Sequence, residues 1–227
     1  DYVNKKNKDV DGEIKNLKKT IEELKSADAV DQEALSKAET ALKEAESKIF
    51  TPIIGCEMYV ADNDIAERNN KKDIGRHLIV LAKNQHGYHN LIKLVSNAWT
   101  DGYYYHPRTD KKQLEKYHED LIVCSACLGG EVPKLITAGH IEEAEKSILW
   151  FKKVFGEDYY LELQRHKATV ARANQEAYPL QQEVNKVLIE MSKKHNIKLV
   201  CTNDVHFVNE EDAEAHDRLI CVSTGTF

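Results

Sequence analysis

The stretch Ile197-Lys198-Leu199-Val200-Cys201-Thr202 predicts a β-strand that follows directly after a helix. The residues before it, 174–195, carry apolar side chains at helical spacing. The same alternation of strand and helix runs back to about residue 50, and it predicts an α/β fold. The other strand-like runs are residues 52–60, 77–82, 121–125 and 159–163, and the other helical segments lie near 86–98, 111–118 and 140–155.

These strands are expected to be parallel, because runs that are apolar on both faces suit a parallel sheet covered by helices on both sides. The number of strand–helix repeats favours a β/α barrel or a large part of one. In such barrels the chemistry lies at the C-terminal ends of the strands.

Residues 1–50 differ from the rest of the chain. They are rich in charge, whereas all ten histidines and all five cysteines lie beyond them. Two narrow apolar stripes at helical spacing, separated by a break before Asp31, predict an antiparallel, coiled-coil-like helical hairpin with Asp31 as the N-cap of the second helix. We interpret it as an insertion in the fold at 51–227, the alternative being a partner-binding arm. The stripes are Ile14, Leu17, Ile21 and Leu24, then Leu35, Ala38, Leu42, Ala45 and Ile49.

The composition excludes several classes of protein. With 41% hydrophobic and 31% charged residues, disorder throughout is excluded. No apolar run approaches the roughly 18 residues of a membrane-spanning helix. The formal net charge of −6 argues against binding DNA by bulk electrostatics. Five cysteines without a secretory signal indicate free thiols in a reducing cytoplasm. Because the chain begins at Asp1 and stops just after a patterned segment, we expect a fragment of a longer protein.

Polar residues within and after the strands are candidate metal ligands. Glu57 interrupts an apolar run, where an unpaired carboxylate would cost several kcal/mol and would therefore need a cation. Asp204 and His206 follow the strand at 197–202, and side chains at i and i+2 of an extended chain point the same way. Their oxygen and nitrogen atoms suit a divalent metal. The alternative is that Asp204 caps a turn and His206 is a surface residue.

Further candidates lie in the loops. The spacing of Cys124 and Cys127 would suit a zinc knuckle or a redox pair, but no second Cys-x-x-Cys follows. We therefore assign Cys124 to the core and Cys127 to the site. His106 is a further ligand candidate, and His166, which follows the strand at 159–163, is a candidate to line the site. The remaining histidines, including His77 and His216, are interpreted as structural.

Six ordered segments resemble one family, the polymerase and histidinol phosphatase (PHP) domain of bacterial DNA polymerase III alpha subunits. They are residues 54–57, 77–84, 87–91, 104–108, 127–131 and 202–207. The resemblance covers residues 52–227. It implies a distorted seven-stranded β/α barrel with a metal cluster at one rim.

The resemblance also implies a ligand set of Glu57, His106, Cys127, Asp204 and His206 for divalent zinc, manganese or magnesium. The family's His-x-His and Asp-His-Gly motifs are missing from this chain. The fragment alone is therefore expected to bind metal weakly or to be metal-free. Arg108, two residues after His106, is predicted to contact a phosphate or to form a surface ion pair.

Two functions follow from the resemblance. One is a metal-dependent phosphoesterase, acting as a 3′–5′ exonuclease in proofreading. The other is a non-catalytic scaffold that docks a separate proofreading exonuclease, with a vestigial or structural metal site. A small-molecule phosphatase is less favoured, because residues 82–84 and 127–130 resemble the polymerase members. The parent would be a DNA-directed DNA polymerase whose partners are DNA and other replicase subunits, and polymerisation would reside in other domains.

Overall fold

The structure is a computed structural model that describes residues 2–27, 29–68, 73–167 and 177–225. Two compact units divide the chain, Asp1–Ile53 and Ile54–Phe227. None of the described helices is both long enough and apolar enough to span a bilayer. The helices are α1 Tyr2–Lys25, α2 Gln32–Ser47, α3 Gln85–Thr100, α4 Lys111–Lys116, α5 Glu131–Thr137, α6 Ile141–Phe155, α7 Ala177–His195 and α8 Ala213–Thr224; the strands are β1 Gly55–Val60, β2 Arg76–Ala82, β3 Arg108–Thr109, β4 Leu121–Cys124, β5 Tyr159–Gln164 and β6 Lys198–Thr202.

The first unit consists of α1 and α2, which run in opposite directions. Asn7, near the start of α1, exchanges two hydrogen bonds with the backbone of Phe50. At the other end of α1, Lys25 forms an ion pair with Glu39 of α2. The predicted cap is confirmed, because an Asp31 carboxylate oxygen accepts hydrogen bonds from the first turn of α2.

The second unit is a mixed α/β structure built on a six-stranded sheet with the order β3-β1-β2-β4-β5-β6. The expectation of an all-parallel sheet is wrong at β2, which is antiparallel to both β1 and β4. Parallel neighbours require a crossover connection, usually a helix. The described residues between β1 and β2, 61–68 and 73–75, form no helix, so the chain returns beside β1 in the opposite direction. In the described chain β3 and β6 are the sheet edges, and barrel closure stays a prediction.

One face of the sheet carries the core. Alternate strand residues, among them Val80 of β2, Val123 of β4 and Leu161 of β5, are fully buried and cluster with apolar side chains of α3, α5, α6 and α7. The intervening residues project from the opposite face. That face carries the polar side chains Glu57, His77, Glu162, Gln164 and Thr202.

The expectation that helices cover both faces is wrong for Glu57. Its side chain is 45% exposed, on the face opposite the core. The carboxylate therefore needs no cation to offset burial, and its role must be argued from its neighbours.

Candidate metal centre

Glu57, His77 and Cys127 bring three potential ligand atoms together, all within 4.8 Å of one another. The Nδ1 atom of His77 lies 2.7 Å from a carboxylate oxygen of Glu57 and 3.4 Å from the sulfur of Cys127. An oxygen, a nitrogen and a sulfur at this spacing are donors that fit a zinc-like divalent ion. They form the only such group of three or more found among the described residues.

Strand register places the first two of these side chains. His77 of β2 pairs with Tyr59 of β1, and Glu57, two residues before Tyr59, projects from the same face. The adjacent carboxylate and imidazole therefore follow from the antiparallel pairing of β1 with β2.

The loop after β4 brings Cys127 to His77. The N–H of His77 donates to the carbonyl oxygen of Gly129, and the N–H of Gly129 donates to the sulfur of Cys127 at 3.4 Å. A Cβ atom at residue 129 would lie 2.9 Å from Nδ1 of His77. Glycine is therefore what allows the loop to approach the imidazole so closely.

The environment of Cys127 favours its protonated thiol, chiefly because the group is partly buried. Burial raises the pKa of the Cys127 thiol to about 11, and the carboxylates of Asp204 and Glu57 also raise it, whereas the Gly129 N–H opposes the shift. A divalent cation among these groups would favour the thiolate. Cys124, in contrast, is 7% exposed, and burial raises the pKa of its thiol to about 12. It is buried as predicted, but it projects from the sheet face opposite the core cluster, because it pairs with Ile79 rather than with Val80.

Asp204 and His206 lie in the loop after β6, but not in an extended chain as predicted. Asp204 has a φ of 48°, in the left-handed region. The Nδ1 atom of His206 lies 2.8 Å from the carbonyl oxygen of Asp204. A hydrogen bond there requires the proton on Nδ1, which leaves the lone pair of the neutral ring on Nε2, the atom available to a metal or substrate.

The same loop forms the wall of a cavity of about 700 Å³. His166 also lines it, with both ring nitrogens engaged: Nε2 bonds to the carbonyl oxygen of Asn203, and Nδ1 lies 2.9 Å from the Gln181 amide nitrogen. His166 is therefore a wall residue in this structure. His216 of α8, which we interpreted as structural, lines the cavity too, and its ring centre is 5.7 Å from that of His206.

His106 lies one aromatic ring away from the three clustered ligands. Its imidazole stacks on Tyr59 with ring centres 4.6 Å apart, and the rings of Tyr59 and His77 are perpendicular with centres 5.1 Å apart. The structure thus brings together two of the five predicted ligands, Glu57 and Cys127, and the charge of Asp204 raises the pKa of the Cys127 thiol. His106 and His206 lie outside the group of three.

Arg108 does not line this site, contrary to the prediction of a phosphate contact or a surface ion pair. Its side chain is completely buried and faces Asp73 at 3.4 Å. Its guanidinium also donates to the backbone carbonyl oxygens of Ile65, Glu67, Asp73 and Gly102. The two-residue strand β3 positions Arg108 as an internal anchor for Ile65, Glu67 and Asp73.

Sequence reasoning missed His77, which was assigned to an apolar strand. The sequence of β2 carries no signal for it, because Ile79 and Leu81, which share the face of His77, are apolar. Glu162 was also missed. It projects from the same sheet face as Glu57 and His77, and in the sequence its carboxylate interrupts the apolar run of β5.

Comparisons with known proteins agree with the resemblance. The sequence model of the PHP domain matches residues 11–166. DNA polymerase III subunit alpha of Borreliella burgdorferi is 46% identical over 185 residues, which are 81% of this chain and 15% of that protein. The subunit of Treponema pallidum is 42% identical over 176 residues, 76% of this chain and 14% of that protein.

A more distant relative covers more of the chain. DNA polymerase III subunit alpha of Thermus aquaticus is 34% identical over 216 residues, 94% of this chain and 17% of that protein. The chain thus spans only about 15% of the length of the curated relatives it matches. Because the family match extends over more than half of its residues, the chain belongs to the PHP domain family.

Proposed function

We propose that the chain is the PHP region of a DNA polymerase III alpha subunit and that its site is a metal-dependent phosphoesterase acting as a 3′–5′ exonuclease. The observation that carries the proposal is the convergence of Glu57, His77 and Cys127 on one point, with the charge of Asp204 acting on the same thiol. The relatives support the proposal that the longer protein is a DNA polymerase III alpha subunit, since the proteins that match carry that name.

Each side chain has a proposed role. Glu57, His77 and Cys127 would hold a divalent ion, and Asp204, His106 and His206 would complete the ligand set. A bound ion would supply Lewis acidity and lower the pKa of a water molecule. His206, with its lone pair on Nε2, faces a cavity of about 700 Å³, which is large enough for a terminal nucleotide.

The wider setting is part of the same proposal. In the longer protein the sheet would form part of a seven-stranded β/α barrel. That protein would be a DNA-directed DNA polymerase of the bacterial cytoplasm, with DNA and other replicase subunits as partners.

A second candidate function is a scaffold that docks a separate proofreading exonuclease. It is favoured by the contacts among the three ligands themselves. The Nδ1 atom of His77 already lies 2.7 Å from a carboxylate oxygen of Glu57, and Cys127 already contacts His77. A vestigial site that has replaced its metal with hydrogen bonds would have this arrangement.

Degradation of a mismatched 3′ end distinguishes the two functions. We expect the full-length subunit, purified without an exonuclease partner, to remove a mismatched nucleotide in manganese or zinc. Asp204→Asn should abolish this activity, because the variant removes a carboxylate from the site. A matched control is Asp158→Asn, since Asp158 pairs with Lys83 on another part of the surface.

The outcomes separate cleanly. Loss of degradation in Asp204→Asn alone supports the phosphoesterase. Equal degradation by the wild type and Asp204→Asn would assign the activity to another site or to a contaminant. If the full-length subunit neither binds a divalent ion nor degrades the primer, the scaffold function is the correct one.

A further inference from the structure

Glu162 is a buried carboxylate that the proposed metal site does not use. Glu162 is only 5% exposed and projects from the sheet face opposite the core. Among the described residues no lysine, arginine or histidine forms an ion pair with it. Burying a carboxylate without a cation is costly unless hydrogen bonds satisfy its oxygens. Its bonding partners therefore indicate what it does.

The two carboxylate oxygens of Glu162 accept hydrogen bonds from two different parts of the chain. Oε2 accepts from the backbone N–H of Ala126 at 3.0 Å. Oε1 accepts from the hydroxyl of Thr202 and from the side-chain amide of Gln164 at 3.2 Å. The side chain thus joins the loop after β4 to the end of β6.

Both of these segments lead into the candidate site. Ala126 immediately precedes Cys127 and has a φ of 64°. For a residue other than glycine this conformation is strained and persists only when neighbours enforce it. Thr202 lies two residues before Asp204, whose charge acts on the Cys127 thiol. Glu162 is therefore placed to set the separation between Cys127 and Asp204.

A further bond fixes Glu162 itself. The backbone N–H of Glu162 donates to the hydroxyl of Ser125 at 2.8 Å, and the N–H of Ser125 donates to the carbonyl oxygen of Tyr160. The start of the Cys127 loop is thus tied to β5 by backbone and side chain together.

We propose that Glu162 is a positioning residue that couples the Cys127 loop to the Asp204 loop and so preorganises the metal site. The proposal rests on the proposed function for its consequence, which is metal affinity. Its structural part, the coupling of the two loops, stands on the hydrogen bonds alone.

The chemistry requires a carboxylate. Glutamate offers two oxygens that can both accept, whereas a glutamine side chain has one accepting oxygen and one donating nitrogen. Glu162→Gln therefore cannot satisfy Ala126 and Gln164 simultaneously: if its oxygen accepts from Ala126, its amide nitrogen faces the amide nitrogen of Gln164, which is also a donor. Thr202→Val removes only the bond to the β6 end and leaves the Ala126 bond in place. The matched control is Glu183→Gln, because Glu183 is exposed on α7.

The experiment measures metal affinity and local hydrogen exchange in the full-length subunit. Co²⁺ binding is followed by calorimetry. Amide exchange without metal is followed in peptides from the Cys127 loop, the 203–206 loop and β2. We expect Glu162→Gln to weaken Co²⁺ binding by about 10- to 100-fold, the usual effect of removing a group that orients ligands. Exchange should rise in the two loops but not in β2. If Glu162 only stabilised the fold in general, the variant would raise exchange in β2 as well.

Thr202→Val should weaken binding less than Glu162→Gln, and the double variant should be no weaker than Glu162→Gln alone, because both act through one network. Unchanged exchange in both loops of Glu162→Gln would overturn the coupling. If the wild type binds no Co²⁺, the proposed function fails and the exchange data alone decide the coupling. Should Glu162→Gln fail to fold, Thr202→Val decides: faster exchange at 203–206 supports the proposal, and wild-type exchange there refutes it.

Discussion

Arg108 carries a permanent charge in the interior of the protein, and the chain satisfies it with one carboxylate and four backbone carbonyl oxygens. A buried charge is tolerated when its hydrogen bonds are nearly complete. The guanidinium fork is suited to such contacts, since it presents five N–H donors in a fixed plane.

Replacing Arg108 should therefore destabilise the second unit strongly. We expect Arg108→Met to lower its free energy of unfolding by about 3–5 kcal/mol, because Asp73 is left buried and unpaired. Urea titration followed by tryptophan fluorescence measures this, since both tryptophans, Trp99 and Trp150, lie in that unit.

The control for Arg108→Met is Lys112→Met, which breaks an exposed pair with Asp64. That variant should cost far less than Arg108→Met, because a solvent-exposed ion pair contributes little to stability. Equal losses in the two variants would show that the buried network contributes no more than a surface ion pair.

At the residue scale, sequence reasoning identified chemically unusual side chains but not their surroundings. Glu57 was singled out on the argument that it was buried, yet it is exposed and close to His77. His77 was passed over because a histidine at the start of an apolar strand has no distinctive signal. Only the pairing of Tyr59 with His77 decides its position, and a register between strands cannot be read from one strand alone.

Two glycines in helices have opposite packing environments. Gly12 lies in the interior of α1, and a Cβ atom there would meet nothing within 4 Å. Gly87 lies in the first turn of α3, where a Cβ atom would lie 2.0 Å from the carbonyl oxygen of Asp120. The same substitution should therefore have opposite effects.

We expect Gly12→Ala to stabilise α1 by about 0.8–1 kcal/mol, because glycine is a poor residue for a helix interior. Gly87→Ala should destabilise the second unit, because the backbone of Asp120 must move. Hydrogen exchange of α1 peptides measures the first effect, and thermal unfolding followed by tryptophan fluorescence measures the second. Destabilisation by both variants, or by neither, would contradict this account.

At the element scale, most of the sheet could be predicted from apolar runs. The strands expected at 77–82, 121–125, 159–163 and 197–202 are confirmed to within one residue at either end. β3 was not predicted, because two residues carry no periodicity. α5 was also missed; it is seven residues long with Pro133 in its first turn, too short for a helical pattern. The predicted start of α7 at 174 falls outside the described residues.

At the scale of the whole molecule, the change of composition near residue 50 lies close to the division between Ile53 and Ile54. All of the candidate ligands belong to the second unit, as do the hydrogen-bond partners that hold them. The matched family range nevertheless begins at residue 11, inside α1. Deleting residues 1–53 tests whether the first unit contributes to the candidate metal site.

We expect a chain shortened to residues 54–227 to keep the near-ultraviolet circular dichroism of the full chain. In the full-length subunit, the same deletion of residues 1–53 should leave the affinity for Co²⁺ unchanged, because it removes none of the candidate ligands. Calorimetry on the subunit with and without these residues measures the affinity. A loss of binding in a folded, shortened subunit would show that residues 1–53 support the site.

The antiparallel return of β2 has a consequence for the order in which the protein assembles during synthesis. β1 and β2 are close in sequence, so their pairing closes a short loop. The pairing of β5 with β6, in contrast, cannot form until the whole of α7 has been synthesised. As the ribosome releases the chain from its N-terminus, Glu57 and His77 can meet first, Cys127 can join them next, and Asp204 arrives last. Asp204 would thus join a group of ligands that β1, β2 and the loop after β4 have already positioned.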